Sequence, residues 1–352
     1  MEPGKLLEPD SPVGIHGYGA YVPKYRLTNE EINRVWDGLS APIDRKAVAG
    51  PDEDVVTIAI EAAGYALERA TIDPEELRGI WTGSKRHPYD VKPSSTIIAD
   101  ALGTDPDLEA SDVEFASKAG TEAMQSAIAL VGSGMGAYAM AIGSDAAHGK
   151  PGDDTEYTAA AGGAAFVLGP ADEDAIATIE GSYSYVSNTP DHWQRNDADY
   201  PEHAAGFEAK EAFRKHVVTA AETLMDELGR TPEDYDYAVI DHPDRKRPAR
   251  AAAELGFDRE QVQPGFLAND IGHARSGGTL LGTAATLDQA APGDRILWVS
   301  FGSGAGSDAI SLEVSEGIEE ARDRAPSVER FVDRGVEIDY ATYAKFSEAI
   351  GA

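Results

Sequence analysis

ALERATIDPEELRGIWTGS, residues 66–84, has a counterpart later in the chain in LMDELGRTPEDYDYAVIDHP, residues 224–243. In each stretch the end of a helix is followed by a Pro-Glu-acidic turn and then by an apolar strand, and Pro74 and Pro232 mark the same point. Further pairs follow in the same order: 94–103 with 247–256, 136–144 with 293–303, and 162–169 with 306–314. The chain is therefore a tandem duplication of one α/β unit, with the order helix, strand, helix, strand, helix, strand, strand in both copies.

Two predicted helices carry almost no charge. The only charged residue in 120–131 is Glu122, and the only charged residue in 276–290 is Asp288. A helix that is apolar almost all round has to be buried on all sides. Packing these two helices back to back between two sheets gives a five-layer α/β/α/β/α sandwich with duplicated halves. The predicted parts are an N-terminal half at 13–173, a C-terminal half at 174–316, and a charged, loosely packed C-terminal tail at 317–352.

The chain is strongly acidic, with 62 Asp and Glu against 30 Lys and Arg and a formal net charge of −32. Such a surface repels nucleic acid and anionic membranes, so neither is an expected partner. It suits a salt-rich, halophilic cytoplasm, where ions screen the self-repulsion. Residues 1–12 lack the features of a signal peptide, which also favours a cytoplasmic location.

Two further properties exclude classes of function. The chain has no cysteine, which rules out disulfides, thiolate metal sites and cysteine nucleophiles. Residues 123–144 are uncharged over a membrane-spanning length, but glycines interrupt them. We therefore predict a buried helix followed by a buried strand in this stretch.

Several long strings resemble the archaeal type of hydroxymethylglutaryl-CoA synthase, a family of the thiolase superfamily. They are GYGAYVPKYRL (17–27), GPDEDVVTIAIEAA (50–63), HPYDVKPSSTI (87–97), EFASKAGT (114–121), AIGSDAAHGKPGDDTEYTAAAGGAA (141–165) and VSFGSGAGSDA (299–309). The resemblance covers about residues 13–315 and implies the thiolase fold. It also implies the family's place in the mevalonate route to isoprenoids, where acetyl-CoA is condensed with acetoacetyl-CoA.

The resemblance implies four catalytic positions, and this chain has a different residue at each. The family uses a Cys that accepts the acetyl group, a Glu that removes a proton, a His that polarises the ketone, and an Asn that orients it. EFACKAGT is EFASKAGT here, which puts Ser117 at the Cys position, and GSESHPY is GSKRHPY, which puts Lys85 at the Glu position. His-Gln-Pro-Asn is Asp-His-Pro-Asp, which puts Asp241 at the His position, with His242 next. IGNTYSGS is IGHARSGG, which puts His273 at the Asn position.

Substrate-binding positions are also implied by the resemblance. Lys246 and Ser303 are retained, and Glu208 stands where a Thr is expected. The Gly-rich turn at 302–306 would direct backbone N–H groups at the thioester oxygen. It is not a dinucleotide-binding fingerprint, because no helix follows it. Arg245, Lys246 and Arg247 form a basic cluster, which is either a site for CoA phosphates or a solvated turn.

These replacements favour loss of the family's chemistry. A serine hydroxyl is a weak nucleophile unless it is activated, and Lys85 reverses the charge of the base. We expect a CoA-thioester-binding protein that is catalytically degenerate and acts as a partner or scaffold. The alternative is an active condensing enzyme, or a serine-based acyltransferase with a triad of Ser117, His273 and Asp241. No permanently bound cofactor is expected, and no metal, since metal-ligand spacing is missing among His87, His148, His203 and His216.

The expected partners follow from fold and family. We expect a homodimer, with the uncharged strand at 136–144 buried in its interface. The resemblance further implies acyl-CoA as ligand, and an acetoacetyl-CoA thiolase and a DUF35 zinc-ribbon/OB protein as partner proteins.

Overall fold

The computed structural model describes residues 6–7, 9–36, 43–146, 149–195, 198–204, 206, 208–240, 242 and 246–347, with the backbone alone at 208–210. The strands are β1 (Val13–Tyr21), β2 (Tyr25–Thr28), β3 (Arg45–Val48), β4 (Leu77–Gly83), β5 (Glu109–Val113), β6 (Tyr138–Ala146), β7 (Ala161–Pro170), β8 (Ala177–Val186), β9 (His192–Trp193), β10 (Glu202–His203), β11 (Tyr237–Ile240), β12 (Arg295–Val299), β13 (Gly306–Val314) and β14 (Val336–Glu337). The helices are α1 (Asn29–Val35), α2 (Val55–Ala70), α3 (Ser94–Leu102), α4 (Ala119–Gly132), α5 (Asp154–Thr158), α6 (Arg214–Leu228), α7 (Lys246–Leu255), α8 (Arg259–Val262), α9 (Ala268–Ile271), α10 (Gly278–Leu287), α11 (Ile318–Ala321), α12 (Val328–Asp333) and α13 (Tyr340–Phe346).

One large mixed sheet organises the described part of the chain. Its strand order is β11-β12-β13-β8-β1-β7-β6-β4-β5. The pairs β4–β5, β4–β6 and β11–β12 are parallel, and the others are antiparallel. The two halves of the chain meet where β1 pairs with β8, through Gly14 and Ile15. The predicted duplicated α/β architecture, and with it the thiolase fold that the resemblance implies, is confirmed.

The duplication is visible at the turn that opened the sequence comparison. Pro74–Glu76 leads into β4 and Pro232–Asp234 leads into β11, and both short helical turns carry the same capping box. The second copy departs from the predicted order after α7. In its described residues α8 and α9 follow α7, where β5 follows α3 in the first copy. The predicted strand at this position is therefore wrong.

The two nearly uncharged helices are buried and lie against each other. Helix α4 packs on β4 and β6, whereas α10 packs on β11, β12 and β7. Their close approach needs glycine, because a Cβ at Gly120 would lie 2.4 Å from the backbone oxygen of Ser276. Met124 and Leu280 belong to the same apolar core and are fully buried. The uncharged run at 123–144 is thus the end of α4 and most of β6, as predicted.

The C-terminal segment packs tightly, so the expectation of loose packing is wrong. Phe331 on α12 and Tyr343 on α13 are 1% and 2% exposed, and β14 pairs in parallel with β2. Two fully buried arginines of the first half donate to backbone oxygens of this segment, Arg26 to Phe331 at 2.8 Å and Arg69 to Ala325 at 2.9 Å. Most charged residues of the segment are exposed, and its few apolar ones complete the core.

Strand β6 cannot offer an edge to a second copy, because it lies between β4 and β7 within the sheet. The predicted interface on residues 136–144 is therefore wrong, and the open edge in the first half is β5. No helix of the described residues has the length and apolar character needed to span a membrane.

Candidate active site

Ser117 is presented on a strained turn just before α4. Ala116 has a φ of +49°, a left-handed conformation that costs a residue with a Cβ about 1–2 kcal/mol. Strain of this kind persists where the surroundings enforce it, and it clusters at functional sites. Ser117 is 8% exposed and lies at the N-terminal end of a buried helix, where the helix dipole favours developing negative charge.

A buried ion pair fixes the start of α4 against the second half of the chain. Lys118 is fully buried and donates to Asp308 on β13 at 2.8 Å and to Glu122. Thr121 donates to the other oxygen of Asp308 at 2.6 Å. With its charges paired and hydrogen-bonded, this cluster holds the turn before Ser117 rigidly.

The Gly-rich turn at 302–306 packs against the same helix start. A Cβ at Gly302 would lie 2.8 Å from Cγ of Lys118, so only glycine allows this approach. Gly304 has a φ of +82°, which also requires glycine. Ser303, on the same turn, donates to the buried carboxylate of Asp191 at 2.8 Å.

These elements enclose a cavity with a water-accessible volume of about 80 Å³. Four of the predicted site residues line it, namely Lys85, Ser117, His273 and Ser303. The remaining lining residues come from α5, from the hairpin β9–β10 and from the segments after β11, α9 and β12: Thr155, Thr158, Ala159, His192, His203, His242, Arg275 and Phe301. The structure thus places the Cys, Glu and Asn positions of the resemblance around one small space.

Lys85 is fixed through both its backbone and its side chain. Its backbone N–H donates at 3.1 Å to the buried carboxylate of Asp145, which also accepts from the hydroxyl of Ser84 at 2.9 Å. Its ammonium nitrogen lies 2.9 Å from Nε2 of His192. A protonated lysine has no lone pair and cannot take up a proton, so the Glu position holds a cation that can bind an anion instead.

Two histidines form the wall beside Ser117. His242 is 3% exposed, and its ring centre lies 6.5 Å from that of His273. His273 is fixed through its backbone, which donates to Thr158 at 2.8 Å. Asp241, predicted at the His position, lies outside the described residues, but the neighbouring His242 lines the cavity. A histidine is therefore present at this wall after all.

The described members of the predicted CoA-phosphate cluster, Lys246 and Arg247, are not among the residues that line the cavity. Arg247 is within 3.0 Å of Nε2 of His242 and so touches one wall from behind. Lys246 is the exposed first residue of α7. Arg245 lies outside the described residues, as does the side chain of Glu208, and the roles of all four residues stay predictions.

Sequence reasoning missed His192, Arg275 and Asp145, and it considered His203 only as a metal ligand. His192 and His203 are eleven positions apart in the sequence and pair across the two short strands β9 and β10. Neither strand has a periodic pattern that would have revealed this. The described residues contain no cluster of three or more His, Asp or Glu suited to holding a metal ion.

Asp153, the N-cap of α5, supports this side of the cavity. Its carboxylate accepts from the backbone of Thr155 at 2.9 Å and lies 3.3 Å from Nε2 of His203. Burial alone would raise the pKa of Asp153, but hydrogen bonds from Thr155 and His203 bring it below its ordinary value. Asp153 therefore stays ionised behind His203.

Known proteins resemble this chain along its whole length. A hydroxymethylglutaryl-CoA synthase of Pyrococcus horikoshii is 60% identical over 342 residues, covering 97% of this chain and 98% of that protein. Another, of Methanosarcina barkeri, is 50% identical over 339 residues, covering 95% and 97%. The solved structure of MvaS in complex with 3-hydroxy-3-methylglutaryl coenzyme A is 18% identical, with a TM-score of 0.85 over 96% of this chain and 92% of that one. No family model matches the chain.

The duplicated sheet, with a cavity at the start of a buried helix, defines a thiolase-fold protein. The identity to curated relatives narrows this class. The chain belongs to the hydroxymethylglutaryl-CoA synthase family.

Proposed function

We propose that this protein is an acyl-CoA-dependent enzyme of the hydroxymethylglutaryl-CoA synthase type, in which Ser117 accepts the acyl group. The observation that carries the proposal is the placing of Ser117. It follows a strained residue, stands at the N-terminal end of buried α4, and lines one cavity with His242 and His273. A site abandoned by catalysis would have no need to keep this strain.

The first step is acyl transfer. A neutral imidazole, from His242 or His273, takes the proton of the Ser117 hydroxyl while Oγ attacks the thioester carbonyl. The carbon–sulfur bond then breaks, an ester to Ser117 forms, and the CoA thiolate leaves and takes up a proton. The dipole of α4 and the N–H groups of the turn at 302–306 would stabilise the intermediate oxyanion.

Relatives of the same fold support a CoA thioester as the ligand. Solved structures include a hydroxymethylglutaryl-CoA synthase complexed with CoA and MvaS with 3-hydroxy-3-methylglutaryl coenzyme A. In this chain the phosphates would bind Arg245, Lys246 and Arg247, which precede or open α7. Arginine and lysine pair well with phosphate, and these three stand out in a chain of net charge −32.

A second candidate function is acyl-CoA binding without turnover, as a scaffold of a larger complex. The observation that favours it is Lys85, whose ammonium contacts His192 where the family's carboxylate base is expected. Condensation would then lack its usual base. The proposed partners are a second copy of the chain, an acetoacetyl-CoA thiolase and a DUF35 zinc-ribbon/OB protein. Affinity purification of the tagged protein from its own cells at molar salt, followed by mass spectrometry, tests for these partners.

Intact-mass spectrometry decides between the two functions. The purified protein is incubated with acetyl-CoA at high salt and quenched in acid. A mass gain of about 42 Da, as expected when one acetyl group replaces a hydroxyl hydrogen, that disappears in Ser117→Ala supports acyl transfer. Ser133→Ala is the matched control, since Ser133 is an exposed serine beyond the other end of α4. An unmodified protein that still binds acetyl-CoA in calorimetry would establish the scaffold function instead.

A further inference from the structure

Asp191, the residue before β9, is a fully buried carboxylate with an incomplete set of partners. Its Oδ2 accepts from the hydroxyl of Ser303 at 2.8 Å. Its Oδ1 is buried without a hydrogen-bond partner, and the described residues give Asp191 no ion pair. A charge taken out of water is costly unless it is paired, well hydrogen-bonded or bound to a metal ion. The carboxylate of Asp191 therefore calls for a positively charged partner.

The imidazole of His216, which senses the charge of Asp191, does not supply this partner. His216 is 1% exposed, and its Nε2 lies 2.8 Å from Oγ of Ser187. Burial lowers the pKa of His216 below its ordinary value, although the charge of Asp191 acts in the opposite direction. The imidazole is therefore neutral at pH 7 and above, and it leaves the charge of the carboxylate unbalanced.

Further oxygens meet Oδ1 of Asp191 beside Gly304. A Cβ at Gly304 would lie 3.1 Å from the backbone oxygen of His192, 3.6 Å from that of Thr189 and 4.0 Å from Oδ1 of Asp191. The hydroxyl oxygen of Thr189 is also buried and has no hydrogen-bond partner among the described residues. Because Gly304 has no side chain, these oxygens face a common space. Grouped acceptor oxygens, one of them charged, repel one another unless a donor or a cation lies between them.

We infer that this space binds a potassium-sized alkali cation, held by Oδ1 of Asp191 and the backbone oxygens of Thr189 and His192. Hard cations take oxygen ligands, and carbonyl oxygens in particular replace the water around K⁺. One carboxylate balances one positive charge, whereas Mg²⁺ keeps several waters that a buried site does not accommodate. The hydroxyl of Thr189 would serve as a further ligand.

The cation would join two segments of the cavity wall. Residues 189–192 lead into β9, whereas Ser303 and Gly304 belong to the Gly-rich turn. His192 and Ser303 both line the cavity, so a cation between the segments would fix two of its lining residues. Backbone oxygens supply most of the ligands, so the site differs from a cluster of several His, Asp or Glu, which the described residues lack. The inference goes beyond the proposed function, because the cation would bind whether or not the protein transfers an acyl group.

The first test separates a bound cation from charge screening. Melting temperatures are measured in molar potassium chloride and in tetramethylammonium chloride of the same concentration, which screens equally but has a cation too large for the site. Asp191→Asn removes the charge and keeps the shape of the side chain, and exposed Asp107→Asn is the matched control. We expect the wild type and Asp107→Asn to melt a few degrees higher in potassium, and Asp191→Asn to lose most of this difference. Equal melting of the wild type in the two salts, or a difference that Asp191→Asn retains, would overturn the inference.

A direct test uses rubidium and does not depend on the folding of a variant. Rb⁺ is close to K⁺ in size, and its anomalous X-ray scattering distinguishes it from water. Crystals of the wild type grown with rubidium chloride should show an anomalous peak beside Oδ1 of Asp191 and the backbone oxygen of His192. A water molecule in this space, or anomalous peaks only at the protein surface, would overturn the inference and leave the proposed acyl transfer untouched.

Discussion

The side-chain carboxylate of Asp145, in the first half of the chain, accepts a hydrogen bond at 2.8 Å from the backbone N–H of Ser276, in the second half. The same carboxylate accepts from the backbone N–H of Lys85 and the hydroxyl of Ser84. Ser276 in turn donates from its hydroxyl to the backbone oxygen of Ala116, beside Ser117. One buried side chain therefore couples the loop of Lys85 to the start of the second central helix.

Asp145→Asn should destabilise the protein and also displace the loop of Lys85 at the site. All three groups around the carboxylate act as donors, so the amide NH₂ of asparagine would face a donor inside the protein. Losing a buried charged acceptor costs about 1.5–3 kcal/mol per hydrogen bond, and we expect a loss of about 2–4 kcal/mol in the free energy of unfolding. Urea unfolding at high salt measures it, with exposed Asp107→Asn as control. Equal unfolding midpoints for the two variants would contradict this role.

Lys46 should make stability depend on pH. It is buried, donates to the backbone oxygen of Glu156 and to the hydroxyl of Tyr343, and burial lowers its pKa from 10.5 to about 7. Between these values the unfolded chain binds more protons than the folded one, so the free energy of unfolding should rise with pH. The slope should reach at most about 1.4 kcal/mol per pH unit.

This rise is best measured from pH 7 to 9.5, where unfolded tyrosines, with a pKa of about 10, are still mostly protonated. Lys46→Met should flatten the pH dependence over this window, whereas exposed Lys24→Met should leave it as in the wild type. A wild-type curve that stays level from pH 7 to 9.5 would contradict the depressed pKa of Lys46.

Stability should also rise with salt. At −32 formal charges, self-repulsion is weakly screened at 0.1 M salt, where the Debye length is about 10 Å, and well screened at 1 M, where it is about 3 Å. We therefore expect a lower melting temperature at 0.1 M than at 1 M sodium chloride. Sucrose stabilises proteins because it is excluded from their surface, but it does not screen charges, so adding it at 0.1 M salt should not reproduce the effect of 1 M salt. Equal melting temperatures at the two salt concentrations would count against the halophilic prediction.

We expect a homodimer that pairs through the open sheet edge at β5. An exposed strand edge has unpaired N–H and C=O groups that a second copy can satisfy. Light scattering at molar salt should then give twice the 37.3 kDa of one chain. Along β5, backbone N–H groups point alternately toward β4 and toward the open edge. Proline has no N–H, so of the variants Ala110→Pro and Ser111→Pro, the one that removes an N–H at the open edge should give a folded monomer. A wild-type mass of one chain would contradict the dimer.

How far the sequence could predict this structure depended on whether the signal was local. The repeated turn at Pro74 and Pro232, and the uncharged helices, carried their own pattern, and the duplicated fold followed from them. Motif positions similarly identified Ser117 and Lys85 as neighbours of one cavity.

Features set by distant contacts were not predictable. His192 and His203 reach the cavity on strands of two residues each, too short to leave a pattern. The interior place of β6 depends on which strands pair beside it, which its uncharged sequence does not specify. The tail was misjudged because its charge content hid a few apolar residues that complete the core, such as Phe331 and Tyr343.

The docking of the C-terminal segment has a consequence for biosynthesis. Tyr340 donates to the buried carboxylate of Glu156 on α5 at 2.7 Å, and the ring of Tyr343 packs on the ammonium of Lys46. Helix α5 supplies Thr155 and Thr158 to the cavity, so α13, the last helix that the structure describes, holds one wall of the site in place. Because a chain is synthesised from its N-terminus, the first half is made before α13, and its contacts with α13 can form only at the end of synthesis. A protein truncated before α13 would contain every described residue of the cavity lining and would still lack the contacts of Tyr340 and Tyr343 that hold α5 in place.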